Sequence, residues 1–347
     1  MIWLAVLVVA PLSFAEIREY RTSVVPMQGE TLAGPCFYQL TLPQTDRPVR
    51  GVLVIFDRGE QVRQIYSDTS VVRFAAQSEL GILLAQHCPA KGSKDIDVIP
   101  TNGIGRALKT ALDQLSTVSK HPELSRSAMI YFGMSGSGSL AARMVNFLPE
   151  RTIASVEYAP DQDDPVGIDT VTMSAKALYV PQFIIANGAD KVVGTARPYA
   201  YFEQYRKLGA PLTFLIQNRT PHCCVANIVP VMLTWLSDVV RLRMRAVTEA
   251  LLPIDPRLGW FGTLQVRESG VKEEDPPVKV WNAVGAEISP PPGNMPSGGG
   301  LDIPRSPEDK QVPGSAKLLP VWLPSPEFAK VWLAFARMEN HPFTPQR

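Results

Sequence analysis

With 347 residues, 45% of them hydrophobic and 19% charged, the chain has the apolar mass of one large domain or of a domain with an appendage. Its 34 basic residues balance 33 acidic ones to a net charge of +1. Nothing in that balance signals a nucleic-acid partner or an acidic interaction tail.

The chain opens with "MIWLAVLVVAPLSFAEIREY", apolar from Ile2 to Phe14 and charged from Glu16. Ser13 and Ala15 are the small residues a signal peptidase reads, which predicts a signal peptide over 1–15 and a secreted or periplasmic mature chain. No Lys or Arg precedes the apolar run, so the α-amino group is the charge available there. About 13 apolar residues are short against the roughly 20 a membrane span needs. No later run reads as long enough, so no span is expected after cleavage.

From Glu16 to about Arg245, strand-like and helix-like segments alternate. "CFYQLTL" has alternating character, while "GVLVIF" and "LGILLA" are the continuous apolar runs of buried parallel strands. In "GIGRALKTALDQLSTV", Ile104, Leu108, Ala111, Leu112 and Leu115 recur at helical spacing. Next come strand "SAMIYF", helix "SLAARMVNFL", strands "IASVEYA" and "QFIIAN", a helix near "PYAYFEQYRKLG", strand "LTFLIQ", and a long helix in "NIVPVMLTWLSDVVRLRM". Such alternation predicts an α/β domain over 16–247, with a mainly parallel sheet flanked by helices. Its ligand would sit outside the carboxyl ends of the strands.

The remainder, 248–347, changes character. "EEDPPVKV", "SPPPGNMPSGGG" and "RSPEDKQVPG" are rich in Pro and Gly without sustained periodicity, which predicts an irregular arm or linker over 270–320. A terminal helix is expected near 325–338, where Ser325 suits the N-cap and Pro326 the first turn. Its apolar face, Phe328, Val331, Trp332 and Phe335, has to be buried and is expected to dock on the preceding domain.

The stretch "YFGMSGSGSLAARM", Tyr131 to Met144, joins a strand to a helix through three serines and small neighbours. A sharp strand-to-helix reversal crowds its central residue and demands small residues two positions either side. Around Ser135 these are Gly133 and Ser137, a G-x-S-x-G nucleophile elbow whose last Gly is Ser, with Gly138 one step later. Ser137 is a competitor, flanked at the same distances by Ser135 and Ser139. Ser135 is favoured because it lies nearer the strand end and has the glycine on the strand side. A plain small-residue turn would carry the same pattern.

A serine nucleophile needs a base, and the base needs an orienting carboxylate. Of the four histidines, His87 ends a strand, His121 sits in a loop and His341 is in the tail. Only His222, in "NRTPHCC" after "LTFLIQ", follows a late strand. Asp190 in "FIIANGADKVVG" leaves the sheet in the same way, with Glu157 and Asp161 as alternatives for the acid.

The elbow "GMSGSG", the acid in "NGADKVV" and the base in "TPH" resemble the α/β-hydrolase fold family over roughly residues 20–245. The chain looks most like its secreted esterase branch, which includes feruloyl esterases and polyhydroxybutyrate depolymerases. The resemblance implies an eight-stranded, mostly parallel sheet and an acyl-enzyme mechanism on a small-molecule or polymeric ester. It implies Ser135 as nucleophile, His222 as base and Asp190 as orienting acid, with no cofactor and no metal. One oxyanion donor would be the Gly136 N–H. The second would come from "DRGEQ", from Arg58 or Gly59, where relatives often carry His-Gly. In the family's strand order the second strand runs antiparallel beside the fourth, which implies a Cys36–Cys88 disulfide. Cys223 and Cys224 would form a vicinal bridge, anchor the histidine loop elsewhere, or pack as small apolar residues; the paired C-x-x-C units of a zinc site are absent.

Only about 20 residues separate "IASVEYA" from "QFIIAN", too few for a large lid domain. Trp260 and Phe261 are candidates to line the resulting open cleft or simply to pack. A serine peptidase on the same fold and a non-catalytic binding protein are the rival readings.

Overall fold

The structure, a computed structural model, describes residues 17–43, 47–86, 88–91, 98–162, 170–217, 220–244, 250–262, 265–267, 280–282, 300–302 and 319–337. The expected signal peptide lies outside these residues, as does most of the Pro/Gly-rich segment.

Eight strands form the main sheet: β1 (Ile17–Val24), β2 (Cys36–Pro43), β3 (Gly51–Phe56), β4 (Leu80–Gln86), β5 (Ala128–Met134), β6 (Thr152–Tyr158), β7 (Gln182–Asn187) and β8 (Leu212–Gln217). They lie in the order β1-β2-β4-β3-β5-β6-β7-β8. β2 runs antiparallel to both neighbours, and every pair from β4 to β8 is parallel.

Helices cover both faces: α1 (Glu60–Ser67), α2 (Thr69–Gln77), α3 (Ile104–Ser119), α4 (Gly136–Phe147), α5 (Ala196–Lys207) and α6 (Val229–Arg243). That cover explains why β3, β5, β6, β7 and β8 are buried along their whole length and read as unbroken apolar runs. Alternate residues of β3 divide between two cores. Leu53 and Ile55 join the layer of α1, α2, α5 and α6, and Val52, Val54 and Phe56 join that of α3 and α4.

Cys36 opens β2 and Cys88 follows β4, on the strand pair whose register sets Phe37 opposite Gln86. The two are disulfide-bonded across a separation of 52 residues, as the resemblance implied. Closing a loop of that size stabilises by about 4 kcal/mol on the chain-entropy account.

Three elements escaped the sequence reading for physical reasons. β1 is an edge strand with mostly exposed residues and little apolar alternation, while α1 presents few apolar side chains and α2 is too short to repeat its apolar face over more than two turns. One expectation needs amending. Val225–Arg243, with mean hydropathy 1.4, is apolar and long enough by composition to span a bilayer. Its Val229, Met232, Trp235, Leu236 and Val239 are buried against the sheet, which makes it a core helix.

The C-terminal segment adds three-residue strands: β9 (Trp260–Gly262), β10 (Gln265–Arg267), β11 (Val280–Asn282), β12 (Gly300–Asp302) and β13 (Val321–Leu323). β9 lies between β11 and β13, and β10 pairs with β12. Strands so short carry no readable period, so two of them, β11 and β12, fall inside the stretch expected to be irregular. A last helix, α7 (Pro326–Arg337), is capped by Ser325, whose Oγ accepts the Phe328 N–H at 2.9 Å. Phe328, Trp332 and Leu333 are buried in the same core as β7 and β8. Trp332 Nε1 donates to the Phe214 carbonyl at 2.9 Å, and Phe328 packs edge-on to Phe183 at 5.8 Å. Trp260 and Phe261 also pack on this core, Phe261 under the Arg206 guanidinium at 5.7 Å.

Candidate active site

Ser135 stands between β5 and α4 with φ 57° and ψ −130°, a conformation costing a non-glycine residue on the order of 1–3 kcal/mol. The surroundings hold it there. Its N–H donates to the Tyr158 carbonyl at 2.9 Å, and its own carbonyl accepts from Gly138 at 2.9 Å and Ser139 at 3.1 Å. A Cβ on Gly133 would lie 2.0 Å from the Ser137 carbonyl oxygen, so only glycine fits the strand side of the turn.

The two candidate serines differ sharply in surroundings. Ser135 is half-buried, whereas Ser137 is fully buried. Ser137 Oγ donates to the Met134 carbonyl at 2.8 Å and accepts the Met134 N–H at 3.0 Å. Ser137 therefore closes the strand-to-helix turn, and Ser139 Oγ donates to the Asp161 carbonyl at 2.6 Å.

Asp190 follows β7 and His222 follows β8. His222 Nδ1 lies 2.6 Å from Asp190 Oδ2, with the Asp190 side chain wholly buried and the His222 side chain 20% exposed. Asp190 Oδ1 accepts the N–H groups of Val192 at 2.7 Å and Val193 at 3.0 Å. Burial acts to raise the Asp190 carboxyl, but the His222 contact and these two N–H groups outweigh it and hold it below its ordinary value. An ionised Asp190 accepts a hydrogen bond from Nδ1–H, which fixes the tautomer that leaves Nε2 as the basic nitrogen. Among the other histidines, His121 pairs with Glu123 at 2.9 Å, and His87 and His341 lie outside the described residues.

The loop carrying His222 is tied at several points that sequence reasoning did not single out. Asn187 Nδ2 donates to the carbonyls on both sides of the histidine, Pro221 at 2.9 Å and Cys223 at 3.4 Å. The Tyr158 hydroxyl donates to the Cys223 carbonyl, while the Tyr158 main chain holds Ser135. Gln61 Oε1, from α1, accepts the Cys224 N–H at 2.6 Å. Cys223 and Cys224 form a vicinal disulfide next to the histidine. Asn187 and Tyr158 end their strands on the same sheet edge as Ser135, and that placement is the signal by which they were findable.

The expected oxyanion donors are placed unequally. Gly136 opens α4, so its N–H belongs to the first turn, whose donors have no intrahelical acceptor. The Gly59 N–H donates to Asp57 Oδ1 at 2.8 Å, and Asp57 is also paired with Arg63 at 3.3 Å. The Arg58 guanidinium rests on Gly136, where an added Cβ would stand 3.0 Å from its Nη1. Among the described residues no group of three or more His, Cys, Asp or Glu is clustered to hold a metal.

The alternative acids have other partners. Asp161 pairs with Arg197 at 2.9 Å. Glu157 is fully buried in β6 and accepts from Ser155 Oγ at 2.6 Å and from Gln162 Nε2. Burial pushes its carboxyl up to about 8, with the Ser155 and Gln162 hydrogen bonds opposing. In the unfolded chain the same group ionises near 4.5. Between those values the unfolded state has released a proton that the folded state still holds. Glu157 therefore makes stability fall as pH rises from about 4.5 to about 8, and then level off. Glu157→Gln is expected to flatten that dependence by on the order of a few kcal/mol. Urea midpoints of both proteins at pH 5 and pH 8 check this; equal pH dependence would contradict it.

No protein family matches the chain at the sequence level, and no curated protein is found similar to it. Solved structures do align with it. A ferulic acid esterase covers 65% of this chain and 98% of its own at 11% identity and TM-score 0.47. The fluorophosphonate-binding serine hydrolase F of Staphylococcus aureus covers 65% and 98% at 10% identity and TM-score 0.45. Brefeldin A esterase, a bacterial homologue of human hormone sensitive lipase, covers 70% and 81% at 14% identity and TM-score 0.46. The sheet itself decides the fold: one antiparallel strand, β2, enters beside β4, the strained serine turn follows β5, and the dyad follows β7 and β8. The chain has the α/β-hydrolase fold. Its Ser135, Asp190 and His222 all leave the sheet at the carboxyl ends of parallel strands.

Proposed function

We propose that the protein is an exported serine hydrolase that cleaves carboxylic esters through an acyl-enzyme. The observation that carries the reading is the buried Asp190–His222 pair at 2.6 Å on the sheet edge where Ser135 is held at φ 57°. Ser135 Oγ adds to the ester carbonyl as His222 Nε2 takes its proton. Collapse of the tetrahedral adduct expels the alcohol, which receives that proton, and leaves the acyl group on Ser135. Water then repeats the sequence and releases the acid. Asp190 stays ionised throughout, orienting the imidazole and stabilising its charged form. Export is supported by the apolar leader with Ser13 and Ala15, and by a Cys36–Cys88 bridge that persists in oxidising compartments.

The test is hydrolysis of p-nitrophenyl esters of increasing chain length by the chain from Glu16 and by its Ser135→Ala variant. The reading expects turnover that falls by about 10⁴-fold or more in the variant. Turnover that survives the substitution would sink Ser135 as the nucleophile. Inactivity on every ester combined with Ser135-dependent cleavage of peptides would replace the ester reading with a peptidase.

A further inference from the structure

We infer that Tyr158 is a positioning residue that joins the two reacting groups: its main chain fixes the turn of Ser135, and its hydroxyl fixes the turn that presents His222. The inference rests on the hydrolase reading above, in which His222 Nε2 has to meet Ser135 Oγ.

Tyr158 ends β6, between the strand that leads to Ser135 and those that lead to Asp190 and His222. Its carbonyl accepts the Ser135 N–H at 2.9 Å. Its side chain is fully buried, and the hydroxyl reaches past β7 to the Cys223 carbonyl in the loop after β8. That carbonyl belongs to a tight turn. The Cys223 N–H donates to the Pro221 carbonyl at 2.6 Å, closing three residues with His222 at their centre. The peptides on either side of the histidine therefore set the direction of its ring. Asn187 Nδ2 holds the first, through the Pro221 carbonyl at 2.9 Å, and reaches the second only at 3.4 Å. Tyr158 supplies the closer bond to the second.

Counting protons fixes the direction of this bond. The phenol has one proton and two oxygens within reach, the Cys223 carbonyl and Gln217 Oε1 at 3.0 Å, and it cannot serve both. The carbonyl is the nearer and takes it. Gln217 must then face the phenol oxygen with its NH2, because two oxygens so close without a proton between them repel. Turning the amide over also employs Gln217 Nε2, which is otherwise buried without a hydrogen-bond partner. The result is a buried chain in which Gln217 donates to Tyr158 and Tyr158 donates to the Cys223 carbonyl. Burial pushes the Tyr158 phenol well above its ordinary value, so the donor persists at any working pH. Tyr158 transfers no proton and acts through His222.

Tyr158→Phe deletes only the hydroxyl and keeps the main-chain bond to Ser135. It is expected to lower kcat on a p-nitrophenyl ester by about 10- to 100-fold with KM within about 3-fold, because a misplaced base slows the reaction without weakening ester binding. Labelling of Ser135 by a fluorophosphonate needs the same proton removed and should slow by the same factor as kcat/KM. The substitution also strands the Gln217 amide, which should lower the melting midpoint by a few degrees. Adding Gln217→Met removes the stranded group, so the double variant should melt close to wild type while its kcat stays low. A rate that recovers together with the midpoint would make the hydroxyl merely structural and overturn the inference. A kcat within about 3-fold of wild type, a loss confined to KM, or unchanged labelling would each overturn it too, leaving the hydrolase reading intact. A wild-type protein with neither ester turnover nor labelling at Ser135 would overturn the hydrolase reading, and this inference with it.

Discussion

On the proposed mechanism, Asp190→Asn is expected to lower kcat by about 10⁴-fold in a protein that folds normally, the scale of loss that the same change causes in an established Ser-His-Asp triad. The reason lies in how the carboxylate is held. Oδ1 accepts two main-chain N–H groups, those of Val192 and Val193, which can be satisfied only by an oxygen. An asparagine must therefore turn its carbonyl toward them and its NH2 toward His222. Nδ1, 2.6 Å from that position, would then have to accept, and the ring proton would move to Nε2. On the proposed mechanism the imidazole would then offer Ser135 the wrong tautomer, carrying a proton where it must take one. Steady-state rates of the two proteins, beside their melting curves, check this; a loss of less than tenfold with an intact fold would contradict it.

Ending the chain after Leu318 is expected to abolish cooperative folding. The loss removes Val321, Trp322, Leu323, Phe328, Trp332 and Leu333, each at most 2% exposed. A fully buried side chain of this kind stabilises by roughly 1.5–3 kcal/mol, and six of them together rival the about 5–15 kcal/mol by which a domain is stable at all. The cut also strands polar groups. Thr213 Oγ1, which donates to the Trp322 carbonyl at 2.5 Å, and the Phe214 carbonyl that accepts from Trp332 would both lose partners. Asp238 would lose its Ser325 hydroxyl. Trp332→Ala is the graded version and should cost about 3–5 kcal/mol. Far-UV circular dichroism and denaturant melts of both variants decide the point. A truncated protein melting within a few degrees of the full chain would show that α7 decorates the core rather than completing it.

The parts of the molecule legible in the sequence are those whose physics is local. β3, β5, β7 and β8 read as strands because burial on both faces leaves them continuously apolar, and α3 because one of its faces repeats at helical spacing. The strand-to-helix turn was legible through its small residues, and its nearer strand end and Gly133 favoured Ser135 while leaving Ser137 as a competitor. Ser135 and Ser137 have small neighbours at the same distances. What separates them is three-dimensional: a positive φ at one, and at the other a hydroxyl tied to both polar groups of Met134. The acid behaves alike, with Asp190 favoured in the sequence and Glu157 and Asp161 left as alternatives. Glu157, Asp161 and Asp190 all follow or end a strand, and only the pairing of β7 with β8 brings one of them to His222.

The ties on the histidine loop were illegible because they join residues far apart in the chain. Gln61 and Cys224 are 163 positions apart, Tyr158 and Cys223 65. Nothing about a glutamine in α1 announces such a contact. For the adjacent cysteines the sequence left open whether they bridge each other, and the structure joins them.

The claim on which the account turns is that Ser135 is the nucleophile. The most direct measurement is to treat the folded protein with a fluorophosphonate and map the adduct by mass spectrometry of its peptides. The account predicts one adduct, on Ser135, that forms with the native protein and not after unfolding in denaturant. An adduct on Ser137, or none on a folded protein, would contradict it.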